Sequence, residues 1–296
     1  MTSVTGADVT APVLRRRSRW EPVRRTLRPG RTRLGLSVFL FLALVALVGP
    51  WIAPYSPNEF VGIPFAQPDS TAWLGTDGLG RDVLSRFLSG GRTVLGMSVL
   101  ATVAGVGLGA LVGVFAAHAG GTVDGLLMRL NDVLLAFPQI IFTLLILTVL
   151  GQRTWLIALT VGLTHAPRTA LVIRAAAVQV AERDFVKAAE AAGEPRWRIV
   201  LTELLPNVSS PLLVELGLRL TYSIGLVAAI SFLGFGLQPP AADWGLMINE
   251  NRIGLTTQPW AVIAPVGAIA LLTIAVNLVT DGLSRSAIGI DREAQR

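Results

Sequence analysis

The chain of 296 residues has no cysteine, a single lysine and only two histidines, His118 and His165. Without cysteine there is no disulfide framework, no Cys-ligated zinc, no iron–sulfur cluster and no thiol nucleophile. Two histidines leave too few ligands for a histidine-rich metal site. The lone Lys187 is followed by alanine, so no GxxxxGK[ST] loop is present to cradle a nucleotide phosphate. A GxSxG nucleophile elbow is missing as well. Charge is scarce, at 15% of residues against about 25% in a water-soluble chain. What is plentiful is apolar: 52% of residues, with a mean hydropathy of +0.61, gathered into six long runs. One helical crossing of a bilayer takes about 20 such residues, so six crossings occupy roughly 120 and form the main body of the molecule.

Basic residues outnumber acidic ones, 25 to 19, yet their placement argues against nucleic acid. Nine of the 25 (Arg15, Arg16, Arg17, Arg19, Arg24, Arg25, Arg28, Arg31 and Arg33) fall in residues 1–33, directly before an apolar run. A basic tail ahead of a span is the usual cytoplasmic anchor under the positive-inside rule. The Arg15–Arg17 cluster is followed by a long apolar stretch ending in Trp51-Ile52-Ala53-Pro54, without a small-residue cleavage site. The expectation is an uncleaved first helix.

The hydropathy pattern predicts an all-α polytopic membrane protein with six transmembrane helices. Span one covers 34–53, span two 93–117 and span three 133–151, the last kinked at Pro138 because proline removes a backbone hydrogen bond. Span four starts at Thr154, which places Arg168 near the cytoplasmic interface, where it can snorkel. Span five covers 208–234 and contains Glu215 and Arg219; span six covers 259–280. With the N-terminus inside, 19 basic residues fall in inside segments and five outside. That ratio supports cytoplasmic N- and C-termini, which an even number of helices permits.

Two polar segments are longer than turns require. Residues 54–92 lie outside and read as a loop with a short amphipathic helix over 81–90. Residues 174–207 lie inside, with apolar positions recurring every three and four residues, as on a surface helix. Such a helix either lies on the membrane or docks on another protein. Glu215 and Arg219 are four apart on one helix face and form either a self-neutralising ion pair or a polar patch on a substrate pathway. Ala101, Gly105, Gly109, Gly113 and Ala117 make a stripe of small residues that lets another helix approach closely.

Several stretches resemble a known family. FVKAAEAAGEPRWRIVLTELLPN is similar to the EAA loop of bacterial ABC-importer permeases, in the form found in the dipeptide/oligopeptide/nickel group. LGTDGLGRDVLSRFLSGGRTVL before span two, SFLGFGLQPPAADWGLMI after span five and NLVTDGLSRSAIGID after span six point to the same group, C-subunit type. Together they cover most of 75–291 in the expected order. The family pattern falls on Ala188, Ala189, Gly193, Leu205 and Pro206. Lys187 stands where glutamate is usual, and Glu203 where an apolar residue is common.

The resemblance implies an ABC type I importer permease (MetI-like) core over 93–283, flanked by a basic tail 1–33, a first helix 34–53 and a cytoplasmic C-terminal tail 284–296. It implies that 174–207 is an ATPase-coupling loop in which Phe185 is an apolar knob, Ala188, Ala189 and Ala192 form a narrow face, and Gly193 permits a sharp turn. The partners it implies are a second permease subunit in a heterodimer, two cytoplasmic ATPase subunits that bind ATP and Mg, and an extracellular solute-binding protein. The chain itself then binds no cofactor, is not an enzyme, and sits multi-pass in the bacterial cytoplasmic (inner) membrane, in contact with lipid but not nucleic acid. In that reading Trp244 and the Pro239-Pro240 pair shape a docking surface for the binding protein, although interfacial tryptophans also serve as plain membrane anchors. Di- and oligopeptides are the expected substrates. A stand-alone channel or secondary carrier, and a membrane scaffold, are the competing classes; neither needs an internal docking helix with this spacing.

Overall fold

The computed structural model describes residues 30–294, with side chains through residue 285. The expected basic tail up to residue 29 and the end of the expected C-terminal tail lie outside the described residues. Among the described residues eleven helices follow in order: α1 (Gly30–Ile52), α2 (Val83–Ala119), α3 (Gly121–Ala136), α4 (Gln139–Leu150), α5 (Thr154–Ala181), α6 (Asp184–Ala191), α7 (Arg196–Ile199), α8 (Leu205–Asn207), α9 (Ser209–Phe232), α10 (Trp244–Asn251) and α11 (Trp260–Ala294). A π-helical turn, Val200–Leu204, joins α7 to α8. Of these, α1, α2, α5, α9 and α11 are long and apolar enough to cross a bilayer, and α3 with α4 makes a sixth, broken span. Such segments are helical because lipid offers the backbone no hydrogen-bond partner, so each must satisfy its own.

Three expectations change. The amphipathic helix expected over 81–90 is the start of α2, which runs unbroken for 37 residues. Asp82 caps it, its side chain accepting from the Ser85 N–H, and no proline interrupts it before Gly120. Span three is bent by 86° between α3 and α4, because Phe137 is extended and Pro138 can only begin the next helix. The break is pinned to α5, where Asn131 Nδ2 donates to Pro167 O at 3.0 Å and Gln139 Nε2 to Thr164 O at 3.1 Å. Finally, α5 continues to Ala181, so the first eight residues of the expected coupling loop belong to the span-four helix.

Small residues set the packing. A Cβ on Gly109 would lie 2.5 Å from Ala166 O, and one on Gly113 would lie 2.6 Å from Ala170 O. The small-residue stripe of α2 is therefore occupied by α5 of the same chain. Gly35 of α1 meets α11 at Leu278 in the same way, with 2.6 Å to its Cβ. Contacts this close gain dispersion energy that lipid-facing leucines do not.

Candidate functional site

The bundle carries polar constructions at both ends and one in its middle. At one end, α6 follows α5 after a short bend. Val186 is fully buried and packs with Ala110 and Val114 of α2, Ile173 and Ala177 of α5, and Ile199, Val200, Leu204 and Val208 of the following turns. His118, at the end of α2, lies 3.7 Å from Glu190. One face of α6 is thus fastened to two long helices of the bundle.

The other face is open. Phe185, 42% exposed, recurs with exposed Ala188 and Ala192 at three and four residues, and Lys187 is exposed beside them. Ala189 instead turns toward the buried cluster, so the narrow face expected from three alanines has two of them. Gly193 takes φ +78, a left-handed conformation in which its N–H donates to Glu190 O (3.0 Å) and the Glu194 N–H reaches back to Ala189 O (3.2 Å). This is a Schellman closure, and glycine enters it without a Cβ penalty. Leu205 packs against the same cluster, while Pro206 is exposed at the entry to α9.

In the middle, Arg219 Nε donates to Glu215 Oε2 at 2.9 Å, and the Thr169 hydroxyl of α5 donates to the same oxygen at 3.0 Å. Both charges are buried. The pair is therefore internally neutral, as four-residue spacing allows, and Arg219 also lies 5.5 Å from the Tyr222 ring centroid. Both ring nitrogens of His165 and Nη1 of Arg219 have no hydrogen-bond partner among the described residues. Arg174, six residues beyond Arg168, holds Asp124 of α3, with Nε to Oδ1 at 2.5 Å.

At the opposite end, two of the stretches that carry the family resemblance pack on one another. Asp77 Oδ2 lies 2.6 Å from Arg81 Nε and 3.3 Å from Arg86 Nε. Glu250 Oε2 of α10 closes the square, 3.1 Å from Arg81 Nη2 and 2.7 Å from Arg86 Nη2. Asn251 Oδ1 accepts from the Gly78 N–H at 2.9 Å. Sequence reasoning missed this cluster; its signal was four charges, Asp77, Arg81, Asp82 and Arg86, within ten residues of a charge-poor chain.

Trp244 belongs to this lock. It is completely buried, its ring stacks on Phe87 at 5.5 Å between centroids, and its Nε1–H donates to Phe87 O at 2.8 Å. A Cβ on Gly91 would lie 2.5 Å from the ring, so the glycine pair of α2 makes room for it. Trp244 therefore presents no surface to a binding protein, contrary to the expectation. Pro239 and Pro240 are exposed on the turn before α10 and are joined by a cis peptide bond. Asp243 begins α10 as its cap, accepting from the Leu246 N–H at 3.0 Å, and burial pushes its carboxyl above the ordinary value.

Comparison with known proteins matches these features. Residues 105–288 match the family described as binding-protein-dependent transport system inner membrane component. Residues 20–71 match the N-terminal TM domain of oligopeptide transport permease C. A Brucella suis protein whose name is that of a peptide transport system permease is 36% identical over 261 residues, 88% of each chain. The glutathione transport system permease protein GsiD of Pectobacterium atrosepticum is 32% identical over 280 residues, 93% of each chain. A six-span helical bundle, a short helix fastened beneath it and these matches lead to one statement: the chain belongs to the family of inner membrane components of binding-protein-dependent transport systems, as a permease subunit.

Proposed function

We infer that this subunit forms half of the translocation pathway of an ATP-driven importer of di- or oligopeptides. The observation that carries the reading is α6: one face is locked through Val186 to α2 and α5, and the other, with Phe185, Ala188 and Ala192, is open. A helix anchored on one side and bare on the other transmits displacement from whatever grips its bare side into the helices it is fastened to. The gripping partner in this reading is a cytoplasmic ATPase carrying ATP and Mg; the pathway subunit supplies no catalytic group. Two ATPases, a second permease and an external solute-binding protein complete the assembly, with both termini of this chain and α6 on the cytoplasmic side. The binding protein then docks at the end bearing α10, where Pro239 and Pro240 are exposed and the Asp77–Arg86 lock supplies a rigid base. Peptides as cargo are supported by the names of relatives, one called a peptide and one a glutathione transport permease.

The test is to tag the chain, extract it gently from its own membrane, and identify by mass spectrometry what accompanies it. Recovery of a P-loop ATPase, a second permease and a solute-binding protein is the expected result. Recovery of the chain alone, moving solute in liposomes without ATP, would make a channel or carrier the better account.

A further inference from the structure

Among the described residues, Arg168 is a charge of α5 that the fold leaves without a counterpart. Arg219, packed near Thr169, holds Glu215, and Arg174 holds Asp124. Arg168 is exposed and has neither a carboxylate nor a hydrogen-bond partner among the described residues. Its neighbours Ala166 and Thr169 pack on Gly109 of α2, in the middle part of the charge-free interval between Arg92 and Asp124. The Arg174–Asp124 pair stands six residues on, about 9 Å along the helix, and α3 carries Arg129 and Asp132 between Asp124 and its break. A guanidinium within a spanning helix is costly against lipid, and such residues face a bundle interior or a water-filled cavity.

A cavity is present where the side chain emerges. About 230 Å³ in volume, it lies at the break between α3 and α4, with Ala136, Phe137, Pro138, Gln139, Thr164 and Arg168 among its lining residues. It exists because the chain turns through 86° there while Asn131 and Gln139 tie both sides of the break to α5. A volume of several waters accommodates one end of a peptide rather than its length. The guanidinium fork matches a carboxylate in two parallel hydrogen bonds. Every linear peptide with a free C-terminus carries a terminal carboxylate whatever its sequence, so a contact of this kind serves varied cargo.

Building on the importer reading, we propose that Arg168 lines the aqueous pathway at the α3–α4 break and binds the terminal carboxylate of the passing peptide. The natural chain has no cysteine, so Arg168→Cys gives a single reactive thiol on this subunit. In the complete reconstituted complex that thiol is expected to react with the anionic, membrane-impermeant reagent MTSES, read as a mass shift of this chain. Trialanine presented with the binding protein should slow the labelling. Uptake of radiolabelled trialanine should fall at least about tenfold in Arg168→Gln, the size of a lost charged hydrogen bond, and recover in good part in Arg168→Lys. An Arg168→Cys thiol inert to MTSES in both ADP-loaded and vanadate-trapped complexes, or native uptake by Arg168→Gln, overturns the proposal. If Arg168→Gln does not assemble, the labelling result decides by itself. Failure of the native chain to co-purify with an ATPase would instead refute the importer reading, which separates the two outcomes.

Discussion

Gly193 offers the sharpest test of how α6 is held. Its φ of +78 lies in the left-handed region, and a Cβ added there would meet nothing within 4 Å. Alanine therefore suffers no clash, only the conformational penalty of about 1–2 kcal/mol, which lowers the population of the correct turn by a factor of roughly 5 to 30. Asparagine enters the left-handed region more readily and should cost less. Proline is different in kind: its φ is fixed near about −65°, and it removes the N–H that donates to Glu190 O at 3.0 Å. The closure then cannot form, and α6 loses its defined exit. In proteoliposomes of the full complex, uptake should rank Gly193→Asn above Gly193→Ala, with Gly193→Pro abolishing uptake while the protein still reaches the membrane and ATP is still hydrolysed. Native uptake by Gly193→Pro would refute the reasoning. Equal loss in alanine and proline variants would refute it too, since the site would then require an absent side chain rather than a particular backbone conformation.

Three further outcomes follow from the packing. Glu250→Gln leaves Arg81 and Arg86 facing Asp77 alone; breaking buried pairs costs about 3 kcal/mol or more, so the detergent-purified protein should unfold at a clearly lower temperature, and an unchanged midpoint would show the cluster to be dispensable. Gly109→Ala forces a Cβ to 2.5 Å from Ala166 O, whereas a Cβ on Gly107 meets nothing within 4 Å; thermal unfolding should show Gly109→Ala destabilised and Gly107→Ala neutral or stabilised by up to about 1 kcal/mol, and equal effects would contradict the α2–α5 contact. Asp243 has its carboxyl raised by burial in the folded protein, so folding favours its protonated form. Stability from this group is full below the unfolded value of about 3.9 and is lost as pH rises through the raised folded value. Asp243→Asn keeps an acceptor for the Leu246 N–H, so its stability relative to the native chain should increase as pH rises above about 4; a difference independent of pH would count against the burial effect.

The alternation of apolar runs and charges was enough to recognise six crossings, because a bilayer imposes the same length and self-satisfied backbone on every one. Gly193 and Pro138 were legible for a local reason: each acts on the backbone at its own position. The angle at Pro138 was not, since proline ends a hydrogen-bond ladder without dictating where the next helix points. The side chains of α6 divide between two faces. The narrow face expected from the sequence was Ala188, Ala189 and Ala192 with Phe185 as a knob; Phe185, Ala188 and Ala192 are exposed, whereas Ala189 packs toward the cluster of Val186, α2 and α5.

Long-range pairing lay beyond any local pattern. Trp244 could be read as an anchor or a docking residue until Gly90 and Gly91, far earlier in the chain, were found to make its pocket. Arg81 and Glu250 are 169 residues apart, and nothing in either neighbourhood names the other. Arg168 shows the same division: composition revealed a charge within an apolar span, whereas its lack of a carboxylate partner among the described residues and the cavity beside it came from the way α3, α4 and α5 meet. The sequence alone determined the membrane class, the number of crossings and the family, because hydropathy and motif spacing are local properties of the chain. Which charges are neutralised and which faces are left open were decided by tertiary structure, because burial and pairing depend on residues that only the fold brings together.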